Sequence, residues 1–272
     1  MISPLQETSQ KEKSSFRNMS YSKRDTYYRK AKEEGFRARS VYKLKEIHQN
    51  YNILSGAKNF VDLCAAPGSW SQMLRILTKN TNANIVAVDI QDIVPIEGVH
   101  IVKGDITRQE TIEKILAPFN KEKVDIVIFD GAPDVTGLLD IDMYLQVELI
   151  IFSVLICMKL LKQNGKFVAK LFKVDAKEED EDLSVRSAVK SDYYYEKVKS
   201  VFDNVFYFKP ASSRASSHET YIVCEGFAFD DEKVQKEIDG MSIEDIFEFE
   251  KRDTVSEKVK AFLRMLIKGS YI

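Results

Sequence analysis

The stretch Phe60–Gln72, FVDLCAAPGSWSQ, decides the fold of this chain. Its first four residues are typical of a short buried strand. A helix is predicted from Ser69, with Gln72 placed three residues after a potential Ser69 cap. The small residues between strand and helix, Cys64 to Gly68, would let backbone amides approach a ligand at the carboxyl end of the strand, where open α/β sheets bind their ligands. An ordinary strand-to-helix turn has the same pattern, and the P-loop and dinucleotide-binding glycine patterns are absent.

Three further apolar segments each end in an aspartate, and helical patterns separate most of the strands. These segments are Asn84–Asp89, Val99–Asp105 and Val124–Asp130. The alternation predicts an α/β fold with a parallel, doubly wound sheet. Two closing strands, Val205–Lys209 and Thr220–Phe227, are predicted to pair like a hairpin.

The carboxyl ends of parallel strands share one rim of a sheet, so the Gly68 turn and the three aspartates are expected to lie together. Such a rim suits an extended nucleoside. Asp89 can accept hydrogen bonds from ribose hydroxyls, and Asp105 can accept one from an adenine amine. Each acid alone is more simply explained as a strand terminator or a helix cap. Three in register with Asp130 beside a glycine turn favour the ligand site.

The charge of the chain is unevenly distributed, although its net value is only −2. Between Lys11 and Lys45 there are twelve Lys/Arg against four Asp/Glu. Aromatic side chains alternate with these cations, at Tyr27, Tyr28, Phe36 and Tyr42. Cations beside flat rings suit RNA, because phosphates need charge and unstacked bases need stacking partners. The alternative is a solvated basic helix face.

The cysteines and the apolar segments bear on compartment. Three cysteines lie far apart without a CxxC pair, so we expect neither a disulfide framework nor a structural metal. This fits a reducing compartment and a cytoplasmic location. The N-terminus lacks the apolar run of a signal peptide, and the most apolar segment is too short to span a membrane, so no membrane contact is expected.

Four motifs together resemble the FtsJ/RrmJ family of RNA ribose 2′-O-methyltransferases. They are DLCAAPGSWSQ from Asp62, DGAPDVTGL from Asp130, VAKLF from Val168 and SSRASSHETYIVCEGF from Ser212. The GSWSQ and DGAPDVTG forms and the basic leader look most like the eukaryotic branch that methylates the tRNA anticodon loop. The resemblance implies a Rossmann-like, seven-stranded sheet with its last strand antiparallel, and S-adenosyl-L-methionine as methyl donor.

The family's site residues fall on matching residue types in this chain. The implied cofactor contacts are Gly68, Trp70, Asp89, Asp105 and Asp130. The implied catalytic tetrad is Lys43, Asp130, Lys170 and Glu219, with Lys170 as general base. A lysine amine is ordinarily protonated at neutral pH, so Lys170 needs help to act as a base. Partial burial and Lys43 would favour the neutral amine, while Asp130 and Glu219 would oppose that effect and orient the amine.

The resemblance covers about Lys23 to Phe227 and sets the expected organisation. We predict a disordered tail over 1–20, a methyltransferase domain over 21–229 with an acidic surface insertion at 173–192, and an acidic helical extension over 230–272. The expected reaction is 2′-O-methylation of tRNA anticodon-loop nucleotides 32 and 34. Accessory protein subunits are expected to direct the modified position, and the extension would dock them or pack on its own domain. The alternatives are methylation of ribosomal RNA or of an mRNA cap, and a non-catalytic RNA-binding scaffold.

Overall fold

The structure is a computed structural model that describes residues 26–131, 151–172, 195, 197–214, 217, 219–228 and 231–267. The predicted tail over 1–20 and the predicted insertion over 173–192 lie outside the described residues. So do all but the first two residues of the DGAPDVTGL motif.

One seven-stranded sheet forms the centre of the molecule, in the order β3-β2-β1-β4-β5-β7-β6. Its strands are β1 Asn59–Leu63, β2 Asn84–Asp89, β3 His100–Lys103, β4 Val124–Phe129, β5 Leu161–Phe172, β6 Phe202–Phe208 and β7 Glu219–Phe227. The pairs among β1 to β5 are parallel, and β7 runs antiparallel to both β5 and β6. The predicted doubly wound α/β sheet with an antiparallel last strand is confirmed. The crossover direction changes between β1 and β4, and such switch points are where open sheets bind ligands.

Helices cover both faces of the sheet. They are α1 (26–33), α2 Val41–Tyr51, α3 Ser69–Leu77, α4 Gln109–Leu116, α5 (151–160), α6 Glu232–Gly240, α7 Ile243–Phe247 and α8 Glu257–Ile267. On one face, α1 to α3 pack over β1, β4, β5 and β7 through buried side chains that include Leu44, Ile47 and Leu74. On the other face, α4, α5 and the last three helices share a second apolar cluster.

Several boundaries differ from the predicted ones. The sequence between the third and fourth strands predicts one helix over Gln109–Phe119. In the structure α4 ends at Leu116, and Ala117–Phe119 forms a 3₁₀ turn containing Pro118, which has no amide hydrogen to donate. The third strand is shorter than predicted, so Asp105 lies two residues beyond its end. The apolar pattern before the fifth strand predicts a helix over about Asp140 to Leu161, but Leu161 begins β5.

The C-terminal helices pack on the domain itself. Side chains on all three, among them Ile238, Ile243 and Leu263, are fully buried in the second cluster. A buried ammonium fixes the first of these helices, because Lys159 Nζ on α5 donates to the carbonyls of Ile238 (3.0 Å), Asp239 (2.9 Å) and Met241 (2.5 Å). The apolar faces of this extension therefore belong to the core.

Candidate functional site

The turn after β1 brings main-chain amides to the rim of the sheet. Gly68 precedes α3 with a φ of +105°, a conformation that side chains disfavour. A Cβ there would also lie 2.8 Å from Arg37 Nη1 and 2.9 Å from Ile96 Cδ1, so glycine is needed for the protein's own packing. Gly68, the N-cap residue of α3, has no side chain that could cap the helix. The first amides of this helix are therefore oriented to bind an anion.

The aspartates that follow β2 and β3 are held by main-chain amides. Asp89, 8 % exposed, accepts hydrogen bonds from the amides of Ala66 and Gln91, each at 2.8 Å. The first bond ties the end of β2 to the turn after β1. Asp105 accepts from the amide of Thr107 at 2.9 Å. A carboxylate has about four lone-pair positions, so both acids retain acceptor capacity for a ligand.

The segment before α2 ties this turn to the loop after β2. Arg37 donates from Nη1 to the carbonyl of Pro67 and from Nη2 to that of Pro95, both at 2.9 Å. Its own amide donates to Gln72 Oε1 at 3.0 Å. Arg37 therefore links two loops at the candidate ligand rim. The sequence had indicated only that it belongs to the basic leader.

The indole of Trp70 faces the core. The side chain is 2 % exposed, its Nε1 donates to the carbonyl of Ser40 at 2.9 Å, and its ring packs 5.5 Å from that of Tyr221. Any ligand contact by Trp70 therefore has to come from its main chain.

The four predicted catalytic residues form two adjacent pairs. Lys43 on α2 makes a short ion pair with Glu219, with side chains 11 % and 12 % exposed. Lys170 Nζ donates to the main-chain oxygen of Asp130 at 2.7 Å and lies 3.5 Å from its carboxylate Oδ1. The two pairs are bridged by a fifth residue.

Tyr221 is that fifth residue, and the sequence reasoning missed it. Its hydroxyl lies 2.6 Å from Asp130 Oδ1 and 3.2 Å from Glu219 Oε1, and its ring is fully buried. Lys43 Nζ lies 5.7 Å from the centre of that ring. The available signal was period 2 along β7, because residues 219 and 221 of one strand face the same side.

The local charges shift the pKa of two of these groups. Burial would raise the pKa of Glu219, but the opposite charge and hydrogen bond of Lys43 outweigh it, with smaller contributions from Lys170 and Tyr221, and the pKa is lowered. Burial, reinforced by Asp130 and Glu219, raises the pKa of Tyr221 well above its ordinary value. Glu219 is therefore an anion and Tyr221 a hydrogen-bond donor at neutral pH.

The buried carboxylate of Asp62 links strand β1 to helix α3, on either side of the Gly68 turn. Asp62 in β1 is 1 % exposed and accepts a 2.6 Å hydrogen bond from Ser71 Oγ on α3. Burial raises its pKa to about 7, and the nearby Asp130 and Asp89 charges add to the rise, while the bonds from Ser71 oppose it.

The aromatic residues of the basic leader differ from the prediction. Tyr42 is buried and donates to Glu34, while Tyr27 and Phe36 pack on its ring at 5.4 and 6.1 Å. These three rings pack the leader helix against the domain. Tyr28, 59 % exposed, is the only leader ring in the described range that is free to stack on a base.

Neither a metal-ligand cluster nor a membrane-spanning helix is present among the described residues. No group of three or more His, Cys, Asp or Glu residues there is placed to hold a metal ion. No helix of those ranges combines the length and the apolarity that crossing a bilayer requires.

The sheet order, the glycine turn and the acids along one rim define a Rossmann-like α/β protein of the methyltransferase type. The chain belongs to the FtsJ-like methyltransferase family, whose model matches residues 36–227. This confirms the family indicated by the four sequence motifs.

Relatives of this chain include proteins named as tRNA methyltransferases and as ribosomal RNA methyltransferases. It is 49 % identical over 209 residues to a Dictyostelium discoideum protein assigned as a tRNA (cytidine(32)/guanosine(34)-2′-O)-methyltransferase, covering 75 % of this chain and 72 % of that protein. It is 45 % identical to the Schizosaccharomyces pombe enzyme of that name, covering 75 % and 70 %. A Methanothrix thermoacetophila ribosomal RNA large subunit methyltransferase E is 38 % identical, covering 75 % and 73 %.

A solved structure has the same fold. It is a Plasmodium falciparum protein assigned as a ribosomal RNA methyltransferase, with a TM-score of 0.57 and 25 % identity, covering 71 % of this chain and 98 % of that one.

Proposed function

We propose that this protein transfers a methyl group from S-adenosylmethionine to the ribose 2′-hydroxyl of tRNA nucleotides 32 and 34. The observation that carries the proposal is the Lys43–Glu219 and Lys170–Asp130 constellation beside a turn suited to the cofactor. The choice of RNA rests on relatives at 49 % and 45 % identity that are named for tRNA positions 32 and 34. The basic leader supplies charge for phosphates.

The residues at the rim fit the proposed cofactor. The amides at the start of α3, including that of Trp70, suit a carboxylate, and the Gly68 conformation presents them. Asp89 would accept hydrogen bonds from ribose hydroxyls, Asp105 from the adenine amine, and Asp130 borders both the cofactor and the tetrad. The cofactor, when bound, supplies a methyl group activated by a sulfonium.

Lys170 has the position of a general base. Its neutral amine would accept the proton of the attacking 2′-hydroxyl, leaving the proton on Nζ. The main-chain oxygen of Asp130 at 2.7 Å and its carboxylate at 3.5 Å would stabilise the ammonium that forms. Both acceptors also fix the direction of the amine, which is the alignment that such a displacement needs.

Lys43 and Glu219 complete the arrangement by neutralising each other. Because Glu219 pairs with Lys43, the site carries a positioned ion pair that can hold ribose hydroxyls from either partner. The hydroxyl of Tyr221 lies between the carboxylates of Asp130 and Glu219, donates its one hydrogen mainly to Asp130, and so links the two pairs.

The test replaces Lys170 with alanine. Lys170→Ala should abolish methyl transfer to tRNA, with the product mapped by mass spectrometry, while calorimetry gives a cofactor affinity close to wild type. Lys166→Ala is the matched control, since Lys166 lies on the same strand but pairs with Glu225 away from the rim. Full activity of Lys170→Ala would contradict the assignment.

The substrate class is tested separately. Wild-type protein should modify nucleotides 32 and 34 of total tRNA in the presence of candidate accessory subunits, which we propose to direct the position. Transfer to ribosomal RNA or to a capped mRNA instead would favour the corresponding alternative. Binding of RNA without binding of S-adenosylmethionine would favour a scaffold. A cytoplasmic location remains a prediction.

A further inference from the structure

One face of α2 holds the loop that leads into β7. Lys43 and Glu46 lie three residues apart on this helix, so their side chains are neighbours. Lys43 pairs with Glu219, where the loop ends and β7 begins, and Glu46 binds the loop close to the end of β6. The chemistry proposed above uses Lys43 and leaves Glu46 without a role.

The carboxylate of Glu46 binds the main chain of the loop. Its Oε2 accepts from the amide of Ala211 at 2.5 Å, and its Oε1 accepts from the amide of Ser212 at 3.1 Å. On the other side of the same residue, Arg39 Nη2 donates to the carbonyl of Ser212 at 2.6 Å. The main chain of Ser212 is therefore fixed at both its donor and its acceptor.

The next residue in the loop leads directly to the tetrad. Ser213 Oγ lies 3.4 Å from Glu219 Oε2, and the amide of Glu219 donates to Ser217 Oγ at 3.2 Å. Glu219 in turn pairs with Lys43 on the same helix as Glu46. The contacts form a closed ring from helix to loop, from loop to Glu219, and from Glu219 back to the helix.

We propose that Glu46 is a positioning residue for methyl transfer, which sets the loop 210–214 and through it the Lys43–Glu219 pair that orients the ribose. The proposal rests on the function proposed above. A carboxylate directly after the basic leader would repel phosphate, and its presence there is explained by the two amide hydrogen bonds that it accepts. The Glu46 carboxylate accepts from the loop amides, so in this proposal it acts through the geometry of the loop and not by contact with substrate or cofactor.

The test compares three variants with wild type. Glu46→Ala removes both acceptors, whereas Glu46→Gln keeps one carbonyl oxygen that can accept one amide. Glu33→Gln is the charge control, because it removes the same charge from an exposed position of the leader without touching the loop. Rates are measured with tRNA and divided by the number of S-adenosylmethionine sites titrated by calorimetry. This normalisation removes any effect of misfolded protein.

The expected result is a fall in kcat per cofactor site on the order of 10²-fold for Glu46→Ala, the size of effect that a small misplacement produces. Glu46→Gln should fall between Glu46→Ala and wild type, and Glu33→Gln should match wild type in kcat. Unchanged kcat per site in Glu46→Ala would overturn the proposal. So would a rise in KM for tRNA alone, which would make Glu46 part of RNA binding.

Hydrogen exchange separates this proposal from the proposed function. Glu46→Ala should speed exchange of the Ala211 and Ser212 amides, and this measurement needs no activity. Wild-type protein that fails to methylate tRNA would contradict the proposed function, while unchanged exchange in Glu46→Ala would by itself overturn the role of Glu46.

Discussion

The hydroxyl of Tyr221 offers the sharpest test of how the site is held together. It has one hydrogen and two carboxylate neighbours, at 2.6 Å in Asp130 and 3.2 Å in Glu219. The hydrogen therefore goes mainly to Asp130. Tyr221→Phe removes this bond and preserves the ring that packs against Trp70.

The size of the effect follows from the charge of the acceptor. A hydrogen bond to a charged group contributes about 1.5 to 3 kcal/mol, so the melting temperature of Tyr221→Phe should fall by roughly 3 to 12 °C. Since about 1.4 kcal/mol corresponds to tenfold in rate, kcat should fall about tenfold or more if Asp130 needs this bond to hold Lys170.

Thermal unfolding and single-turnover methyl transfer measure the two effects. Tyr28→Phe is the control for stability, because it loses the same hydroxyl from an exposed side chain. The raised pKa of Tyr221 gives a third readout. Above pH 10 the unfolded chain loses this proton while the folded protein keeps it, so wild-type stability should fall with rising pH more steeply than that of Tyr221→Phe. Wild-type melting and wild-type kcat in the variant would refute the reasoning.

Three other changes probe the turn, the leader and the extension. Between about pH 4 and pH 7 folded Asp62 keeps a proton that the unfolded chain has lost, so the free energy of unfolding should fall as pH rises, by on the order of 4 kcal/mol in total. Asp62→Asn, whose amide oxygen can still accept from Ser71, should flatten that pH dependence in urea titrations. The same pH dependence in the variant and in wild type would contradict the argument. Arg37→Ala should weaken S-adenosylmethionine binding several-fold by calorimetry, because the arginine links the two loops at the rim. Wild-type affinity in this variant would show that Arg37 does not support the proposed cofactor site. The side chain of Lys159→Met cannot donate to the carbonyls of Ile238, Asp239 and Met241, so the free energy of unfolding in denaturant titrations should fall by about 2 to 3 kcal/mol while cofactor affinity stays unchanged. An unchanged denaturation midpoint would show that the extension does not depend on this contact.

The sheet could be predicted because its signal is local. Each of the first four strands is a short apolar run that ends near an acid or a glycine turn, and parallel pairing then brings those ends to one rim. The position of Lys170 within the apolar strand β5 indicated a partly buried amine, and the side chain is 12 % exposed. The boundary at Pro118 was less accurate although its cause is local, since proline has no amide hydrogen to donate to a continuing helix.

The remaining features depend on contacts between distant residues. Tyr42 was expected to offer a flat surface to RNA, but it completes the core beneath the leader, and alternation of aromatic and basic residues cannot distinguish the two. Tyr221 lies 91 positions along the chain from Asp130, to which it donates. The extension after Phe227 has a helical period that fits self-packing and partner docking equally well, and its buried contacts, such as those of Lys159 and Ile238, distinguish them.

The leader also has a consequence for how two ligands influence each other. Arg37 donates to the carbonyl of Pro67 in the turn after β1, Trp70 donates to Ser40, and the helix that carries Lys43 begins at the next residue. One rigid segment is therefore shared by the proposed cofactor pocket and the proposed RNA surface. By thermodynamic reciprocity, any factor by which bound S-adenosylmethionine changes the affinity for tRNA is the factor by which tRNA changes the affinity for S-adenosylmethionine. The two binding equilibria can then be measured in either order, and the coupling free energy between them must be the same.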